Sequence, residues 1–412
     1  MKVGEKFFSW VHRLRQACVE VRYGLIGLGH FLRAWSSRQP LFLAGCHSGP
    51  FAGNAYHFLK HTHHRSGARV VGVVYPQARY ALVKDGLPWV PRGGWMARRL
   101  AKRAAAVLGT GYPYANIGPE SSGALQVMMW HGMPIKGIGL QCQPQPALFP
   151  ETDVCIATSP FMAEIMGRVF GLPPERVLCT GEPKTDGFID PGRPDLRQML
   201  GGAYRKVVLY APTFREEKLQ PDGKRNPRIL VDSILQSARI REVLARHRAC
   251  MVLALHPFER TLFTGTLEAP FFFSVALDTC TEHLMAAADF FISDYSSLVI
   301  DWTLLSRPMG LYCPDLEPYK ASRGFPYFDF REVFGPFIHG DVEGVAEAMN
   351  RALAGDRSSA EPLLRLKSLF HQHDAGGASA RLFVRILDNI QTRSGRAKVP
   401  PPETEGRVCA SG

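Results

Sequence analysis

A polar turn between two apolar segments gives the first chemical signal in this sequence. Residues 290–292 are apolar, Ser-Asp-Tyr-Ser-Ser follows at 293–297, and a second apolar run extends to 305. The pattern predicts a strand, a turn and a helix, which bring free backbone N–H groups, hydroxyls and the positive end of a helix together, as suits a phosphate. Asp294, Ser296 and Ser297 are therefore candidate phosphate-binding residues. The alternative is that Asp294 or Ser296 only caps the helix.

Two histidines each follow a predicted strand. The apolar run at 125–130 leads into His131, with Lys136 five residues further on, and the run at 251–255 leads into His256. An imidazole titrates close to working pH, so His131 could take a proton from an attacking hydroxyl. A protonated His256 could donate to a phosphate oxygen. The alternative for His131 is a histidine satisfied by loop carbonyls, and the alternative for His256 is a histidine held in a turn by the rigid Pro257.

A third predicted strand, at 207–210, is followed by Thr213 and Arg215. A hydroxyl and a guanidinium two residues apart form a reasonable oxygen-binding pair. The alternative is a capped helix start with an exposed arginine. Further along, Arg323 and Asp329 occur in segments that read as loop and cap signals.

Composition describes an ordinary globular protein with an anionic partner. Of 412 residues, 46% are hydrophobic and 21% are charged, and the formal net charge is +12. Such an excess suits nucleic acid, an acidic membrane surface or a phosphorylated substrate. The sequence holds no recognised nucleic-acid motif, so we expect no nucleic-acid partner.

The nine cysteines include no CxxC pair, and several lie within apolar runs. This spacing indicates reduced, buried thiols in a cytoplasmic protein, not a disulfide framework or a zinc site. No cluster with metal-ligand spacing occurs, so no metal ligand is predicted and no cofactor is expected, while metal dependence stays open. No apolar run approaches the ~20 residues that span a bilayer, and no signal peptide is evident.

Residues 1–38 mix aromatic and aliphatic side chains with seven lysines and arginines. A basic, aromatic-rich helix suits an anionic membrane interface, and the alternative is a helix packed on the first domain. A second basic cluster, at residues 92–103, lies beside Trp89 and Trp95. Together the two clusters favour a protein that is peripheral on the inner face of the cell membrane.

Apolar runs alternate with helical patterns along the chain, which predicts an α/β fold with two doubly wound, Rossmann-like domains facing a cleft. The expected limits are 39–190 for an acceptor domain and 191–394 for a donor-binding domain, with a proline-rich hinge between them. Residues 94–108 are predicted as a helix, and residues 395–412 as a disordered tail.

Five segments resemble, in order, the motif set of the CDP-glycerol glycerophosphotransferase family, which makes teichoic acids and related capsule polymers. The resemblance extends from about residue 51 to residue 379. The segments are Trp130-His131-Gly132-Met133-Pro134-Ile135-Lys136, Tyr210-Ala211-Pro212-Thr213-Phe214-Arg215, Leu255-His256-Pro257, Ser293-Asp294-Tyr295-Ser296-Ser297 and Tyr327-Phe328-Asp329.

The resemblance implies a GT-B fold and transfer of a polyol phosphate from a CDP-activated donor to a lipid-linked or polysaccharide acceptor, with release of CMP. It implies that His131 is the base and that His256 contacts the donor phosphates, which makes them the two predicted catalytic residues. It also places Asp294, Ser296 and Ser297 at the donor, and Arg323 and Asp329 near its nucleotide.

Two positions depart from the family pattern. Met133 stands where the family usually has threonine, and Lys184 stands where it usually has arginine. The choice between glycerol and ribitol stays open. The competing interpretations are a glycosyltransferase that uses a nucleotide sugar on the same scaffold, and a membrane-surface scaffold without catalysis.

Overall fold

The computed structural model describes residues 2–47, 51–111, 117–118, 123–138, 152–192, 195–200, 202–213, 229–255, 271–274 and 280–396. Within these ranges the chain forms two parallel sheets with helices on both faces. The predicted α/β class with two doubly wound units is confirmed.

The first sheet has seven strands in the order β3-β2-β1-β4-β5-β6-β7, and every neighbouring pair is parallel. Both faces are covered, which explains why most of these strands read as continuous apolar runs. The strands are β1 (Leu41–Gly45), β2 (Arg69–Val74), β3 (Trp89–Pro91), β4 (Ala104–Gly109), β5 (Leu125–Met128), β6 (Val154–Ala157) and β7 (Val177–Cys179).

The second sheet has six strands in the order β10-β9-β8-β11-β12-β13, again all parallel. The order reverses direction between β8 and β11, which is the place where open parallel sheets bind ligands. The strands are β8 (Lys206–Tyr210), β9 (Ala249–Leu253), β10 (Phe272–Ser274), β11 (Phe290–Ser293), β12 (Met309–Tyr312) and β13 (Ile338–His339).

Fifteen α-helices lie in the described part of the chain. They are α1 (Lys2–Trp35), α2 (Gly53–Thr62), α3 (Arg79–Lys84), α4 (Trp95–Ala101), α5 (Pro160–Phe170), α6 (Leu196–Met199), α7 (Ile229–Gln236), α8 (Ala238–Arg246), α9 (Thr281–Ala287), α10 (Leu298–Thr303), α11 (Leu316–Arg323), α12 (Phe330–Phe334), α13 (Val342–Leu353), α14 (Ala360–Phe370) and α15 (Ala378–Arg396).

The predicted helix over 94–108 is wrong in its second half. Helix α4 ends at Ala101, and β4 begins at Ala104 in the middle of the first sheet. Three consecutive alanines open this strand. Alanine has the highest helix propensity, but burial between β1 and β5 overrides that preference.

The two units are joined by a 3₁₀ segment, Pro183–Ile189, which packs against α2 and α9. The last helix then returns to the first sheet. Leu382, Phe383 and Ile386 of α15 are buried there, and Phe383 packs on Phe42 of β1 with ring centroids 5.5 Å apart. The predicted limits at 190 and 394 stay predictions. The predicted tail lies outside the described residues, apart from the end of α15.

Within the described ranges, no helix is both long enough and apolar enough to cross a bilayer.

Candidate functional site

The turn that carries His131 is held in an unusual backbone conformation. Strand β5 ends at Met128, Trp130 has φ 52°, and Gly132 has φ 154°. A bulky residue in the left-handed region costs free energy and persists only where its surroundings enforce it. The Trp130 ring packs 4.3 Å from the His131 ring and 5.2 Å from that of Phe170. The turn is therefore rigid and fixes the direction of the imidazole.

Asn54 at the start of α2 holds the same turn from behind. Its amide nitrogen donates to the carbonyl oxygens of Met129 and Trp130 at 3.2 and 3.1 Å and to Oε1 of Glu182 at 3.0 Å. Its amide oxygen accepts the backbone N–H of Lys184 at 3.0 Å. Asn54 is fully buried. One side chain thus links the His131 turn to the hinge.

The geometry around His131 favours a neutral imidazole with one nitrogen available. Nδ1 lies 3.2 Å from the carbonyl oxygen of Thr110, so Nδ1 carries the proton and Nε2 keeps its lone pair. One side of the ring is exposed. Burial of the rest lowers the pKa of His131, and the Lys184 ammonium lowers it further, against the opposing hydrogen bond to Thr110. This arrangement suits a general base.

The predicted phosphate turn follows β11 as expected, but its three candidate side chains make different contacts. Asp294 is buried, and its Oδ1 accepts the backbone N–H of Thr213 at 2.8 Å. Ser296 Oγ accepts the N–H of Leu298 at 3.3 Å. Ser297 occupies the cap position of α10, and its hydroxyl caps no backbone group. The hydroxyl of Thr213 is buried, with no hydrogen-bond partner among the described residues.

The two turns meet across the boundary between the sheets. A Cβ added to Gly132 would lie 2.8 Å from Oγ of Ser297 and 3.3 Å from Nζ of Lys184. Behind this point, the N–H of Ile138 donates to the Tyr327 hydroxyl at 2.8 Å. The fold therefore brings the turn of the predicted base and the predicted phosphate turn next to each other.

A buried group of charges lies directly beneath this junction. Nζ of Lys184 is 2.7 Å from Oδ2 of Asp301 on α10 and 3.4 Å from Oε2 of Glu182. All three residues are buried. Burial would lower the pKa of Lys184, but the two carboxylates raise it above its ordinary value. Burial also raises the pKa of Asp301, against the attraction of Lys184.

Sequence reasoning missed Glu182 and Asp301. Asp301 is the single charged residue within the apolar helix Leu298–Thr303, which was a readable signal. Glu182 gave no comparable signal, because a carboxylate in a hinge is normally solvated.

The remaining predicted residues are more dispersed. Lys136 is half-buried on the His131 loop, and Arg323 is exposed at the end of α11. Asp329 caps α12 by accepting the N–H groups of Arg331 and Glu332 at 2.8 and 3.0 Å, and these bonds lower its pKa. His256 and Arg215 lie outside the described residues. The roles of all the predicted site residues stay predictions.

The described parts of the two basic aromatic clusters lie side by side. Phe31 of α1 packs 5.8 Å from Trp35 and 4.9 Å from Trp95 of α4, and Arg103 lies 4.6 Å over Trp35. Phe31 is buried in the first unit, while Trp95 is 56% exposed. We call the exposed face the basic aromatic surface; it consists of Leu32, Trp35, Trp95, Arg98, Arg99, Lys102 and Arg103.

One member of the predicted clusters is excluded from that surface. Trp89 is buried on β3, with its ring 6.5 Å from that of Tyr23. The packed-helix alternative thus describes the inner face of the last turns of α1, and the exposed apolar residues lie on its outer face.

Comparison with known proteins identifies the family. Residues 39–388 match the profile of the family described as CDP-glycerol:poly(glycerophosphate) glycerophosphotransferase. The chain belongs to this family. The resemblance drawn from the five motifs is confirmed.

Curated relatives act in teichoic acid synthesis, as their names state. The chain is 28% identical over 238 residues to a teichoic acid ribitol-phosphate primase of Bacillus spizizenii, covering 56% of this chain and 58% of that protein. It is 25% identical over 286 residues to a teichoic acid glycerol-phosphate transferase of Staphylococcus aureus, covering 63% and 70%. The matched part is 43% and 39% of two Staphylococcus aureus ribitol-phosphate polymerases. The chain thus spans about half the length of the first relatives it matches.

Solved structures confirm the GT-B architecture. The wall teichoic acid polymerase TagF superposes with a TM-score of 0.67 at 17% identity, covering 87% of this chain and 90% of that chain. A TagF variant soaked with CDPG gives 0.66 at 18% identity, covering 93% and 99%. At such identities the similarity establishes the fold alone.

Proposed function

We propose that this protein transfers glycerol phosphate, or a related polyol phosphate, from a CDP-activated donor to a hydroxyl of a lipid-linked or polysaccharide acceptor. The observation that carries the proposal is the meeting of the His131 turn with Ser297 at the boundary between the two units. Membership of the glycerophosphotransferase family supplies the class of donor. The TagF structure soaked with CDPG supports the same class.

The mechanism assigns one proton transfer and one phosphoryl displacement. Nε2 of His131 takes the proton of the acceptor hydroxyl, whose oxygen forms a bond to the polyol-bearing phosphorus. The bond from that phosphorus to the CMP oxygen breaks, and CMP leaves. A general base contributes roughly 10²–10⁴-fold. Fixed hydrogen-bond donors must therefore stabilise the charge on the transferring oxygens.

We propose the following groups as those donors. The hydroxyl of Ser297 faces the His131 turn, and the ammonium of Lys184 lies beneath it. Ser296 shares the same turn, and His256, Lys136 and Arg215 complete the predicted set. The Lys184 charge stays in place over the whole working pH range, because its neighbouring carboxylates hold it protonated.

The donor class is tested by incubating the protein with CDP-glycerol, CDP-ribitol or UDP-sugars and a defined lipid-linked acceptor. Release of CMP with addition of a polyol phosphate to the acceptor, measured by mass spectrometry, supports the proposal. Release of UDP with addition of a sugar supports the glycosyltransferase alternative. Release of neither nucleotide from an ordered protein supports the scaffold alternative.

The residue roles are tested by steady-state kinetics with CDP-glycerol. His131→Ala should lose most of kcat while donor binding is largely kept. Ser296→Ala and His256→Ala should weaken donor binding as well. Small and equal effects at the three positions contradict these roles.

We further propose that the basic aromatic surface holds the protein on the inner face of the cell membrane. Its exposed tryptophans and four cations match an anionic interface. Arg98→Glu/Arg99→Glu should reduce sedimentation with phosphatidylglycerol vesicles. Arg357→Glu/Arg365→Glu, which reverses two exposed charges elsewhere, is the matched control. Equal sedimentation of both variants contradicts the assignment.

A further inference from the structure

A second group of buried polar side chains lies where α2, the 3₁₀ segment and α9 meet. Nε2 of His57 on α2 is 3.4 Å from Sγ of Cys280, which stands at the cap position of α9. Sγ of Cys280 is 2.9 Å from Oε2 of Glu282, and that oxygen is 3.9 Å from Nε2 of His57. His57 is fully buried, and Glu282 is 8% exposed.

We propose that His57, Cys280 and Glu282 bind Zn²⁺. Histidine, cysteine and glutamate all bind zinc in proteins, and the three ligand atoms lie within 4.8 Å of one another. Bonds of about 2.3 Å to sulfur and about 2.0 Å to nitrogen and oxygen place tetrahedral ligand atoms about 3.3 to 3.5 Å apart.

The observed separations fit this geometry after one small adjustment. The distance from His57 to Cys280 already agrees with the tetrahedral value. The carboxylate oxygen is too close to sulfur and too far from nitrogen by similar amounts. A rotation of the Glu282 carboxylate that moves Oε2 towards His57 corrects both.

A purely hydrogen-bonded cluster is the alternative. A Cys280 thiol can donate to Glu282, and Glu282 can pair with His57, without any metal. That arrangement leaves Nδ1 of His57 and Nε2 of His61 and His283 buried, with no hydrogen-bond partner among the described residues. Three imidazole nitrogens without hydrogen bonds in one place are unusual for a structural cluster.

The rings of His61 and His283 both lie near that of His57. His61 lies one helical turn after His57, and the two rings stack with centroids 5.9 Å apart. The His283 ring is 6.1 Å from that of His57 on another side, where its Nε2 also lies 3.4 Å from Oδ2 of Asp190. Two histidines four residues apart on one helix face are a spacing that zinc sites use. The three proposed ligands leave the fourth tetrahedral position open.

The proposed ion would tie the two units together. His57 belongs to a helix of the first unit, whereas Cys280 and Glu282 belong to α9 beside the second sheet. The intervening hinge is pressed against the site, since a Cβ on Gly187 would lie 2.5 Å from Cε1 of His57. Zinc that binds only this arrangement stabilises it by mass action.

The experiment first removes metal from the tag-free full chain by dialysis against a chelator. Binding of added Zn²⁺ is then measured after the excess metal has been removed. We expect about one equivalent of Zn²⁺ per chain by atomic emission, and Co²⁺ should give the intense absorption of a tetrahedral thiolate site. Zn²⁺ should also raise the Tm. Cys280→Ser keeps a hydrogen-bond donor to Glu282 while removing the thiolate, so it should fold yet lose the equivalent and the Co²⁺ band. His57→Gln should do the same.

The matched control is His63→Ala/His64→Ala, which removes the two neighbouring histidines at the end of α2. Their rings contact each other, and Nδ1 of His63 lies against carbonyl oxygens of its own helix. This variant should keep full binding. The proposal is overturned by a wild-type chain without stoichiometric zinc, by zinc lost from a control with a native circular dichroism spectrum, or by zinc kept by Cys280→Ser.

Discussion

Gly132→Ala tests the contact on which the proposed mechanism rests. The new Cβ would lie 2.8 Å from Oγ and 3.2 Å from Cβ of Ser297, whereas ordinary contact begins at 3.4 Å, so the Ser297 side chain must turn away or the two turns must separate by up to 0.6 Å (3.4 − 2.8). Lys184 limits how far the new Cβ can move away from Ser297, because its Nζ would be 3.3 Å from that Cβ. Gly132 also has φ 154°, a conformation that costs another residue about 1–3 kcal/mol.

The expected consequence is larger for activity than for folding. Misplacement of a reacting group by about 1 Å can cost about 10²-fold in rate, so a loss of that order in kcat/KM is expected. The Tm should fall by only a few degrees. The assay is CMP release from CDP-glycerol with a lipid-linked acceptor. Gly123→Ala is the control, because a Cβ there meets nothing within 4 Å.

A double-mutant cycle separates the steric contact from backbone strain. Ser297→Gly removes the atoms that the new Cβ would strike, so Gly132→Ala should cost at least about tenfold less activity in that background. An identical loss in both backgrounds would show that strain alone acts. Unchanged kcat/KM in the single variant would refute the placement of His131 against Ser297.

Three further predictions follow from the buried ionisable groups. Lys184→Met leaves Glu182 and Asp301 without their cation, so the free energy of unfolding, measured in urea, should fall by about 3–5 kcal/mol. Lys184→Arg keeps the charge and should retain most of the stability. Equal losses in the two variants would show that charge is not the cause. Burial lowers the pKa of His371 to about 4, so the free energy of unfolding should fall as pH drops from 6.5 towards 4. Because the unfolded state binds the proton at higher pH than the folded state does, the free energy of unfolding should fall by ~2 kcal/mol between pH 7.5 and 5. His371→Gln should remove this fall, and an unchanged pH dependence in that variant contradicts the assignment. The kcat/KM profile should fall on the acid side with an inflection below the ordinary histidine range, since the pKa of His131 is lowered; an inflection above that range argues against a neutral His131.

The fold could be predicted because most of its strands are recognisable in the sequence. Strands such as β1 and β11 are covered on both faces, so they read as continuous apolar runs. The boundary between α4 and β4 was not readable, because alanines suit both states and only the neighbouring strands decide. Likewise, the return of α15 to the first sheet depends on contacts with β1 that no local pattern encodes.

Sequence alone determined which groups of the candidate site follow strands, because parallel strands end at one edge and their polar successors lie there together. For this reason His131, Ser296 and Ser297 could be identified as candidates from residue type and position. Tertiary structure decided what those groups meet. The contact between Gly132 and Ser297, the buried partners of Lys184 and the approach of His57 to Cys280 each join distant parts of the chain. Such contacts follow from the packing of one sheet unit against the other. This packing cannot be inferred from residue type and spacing.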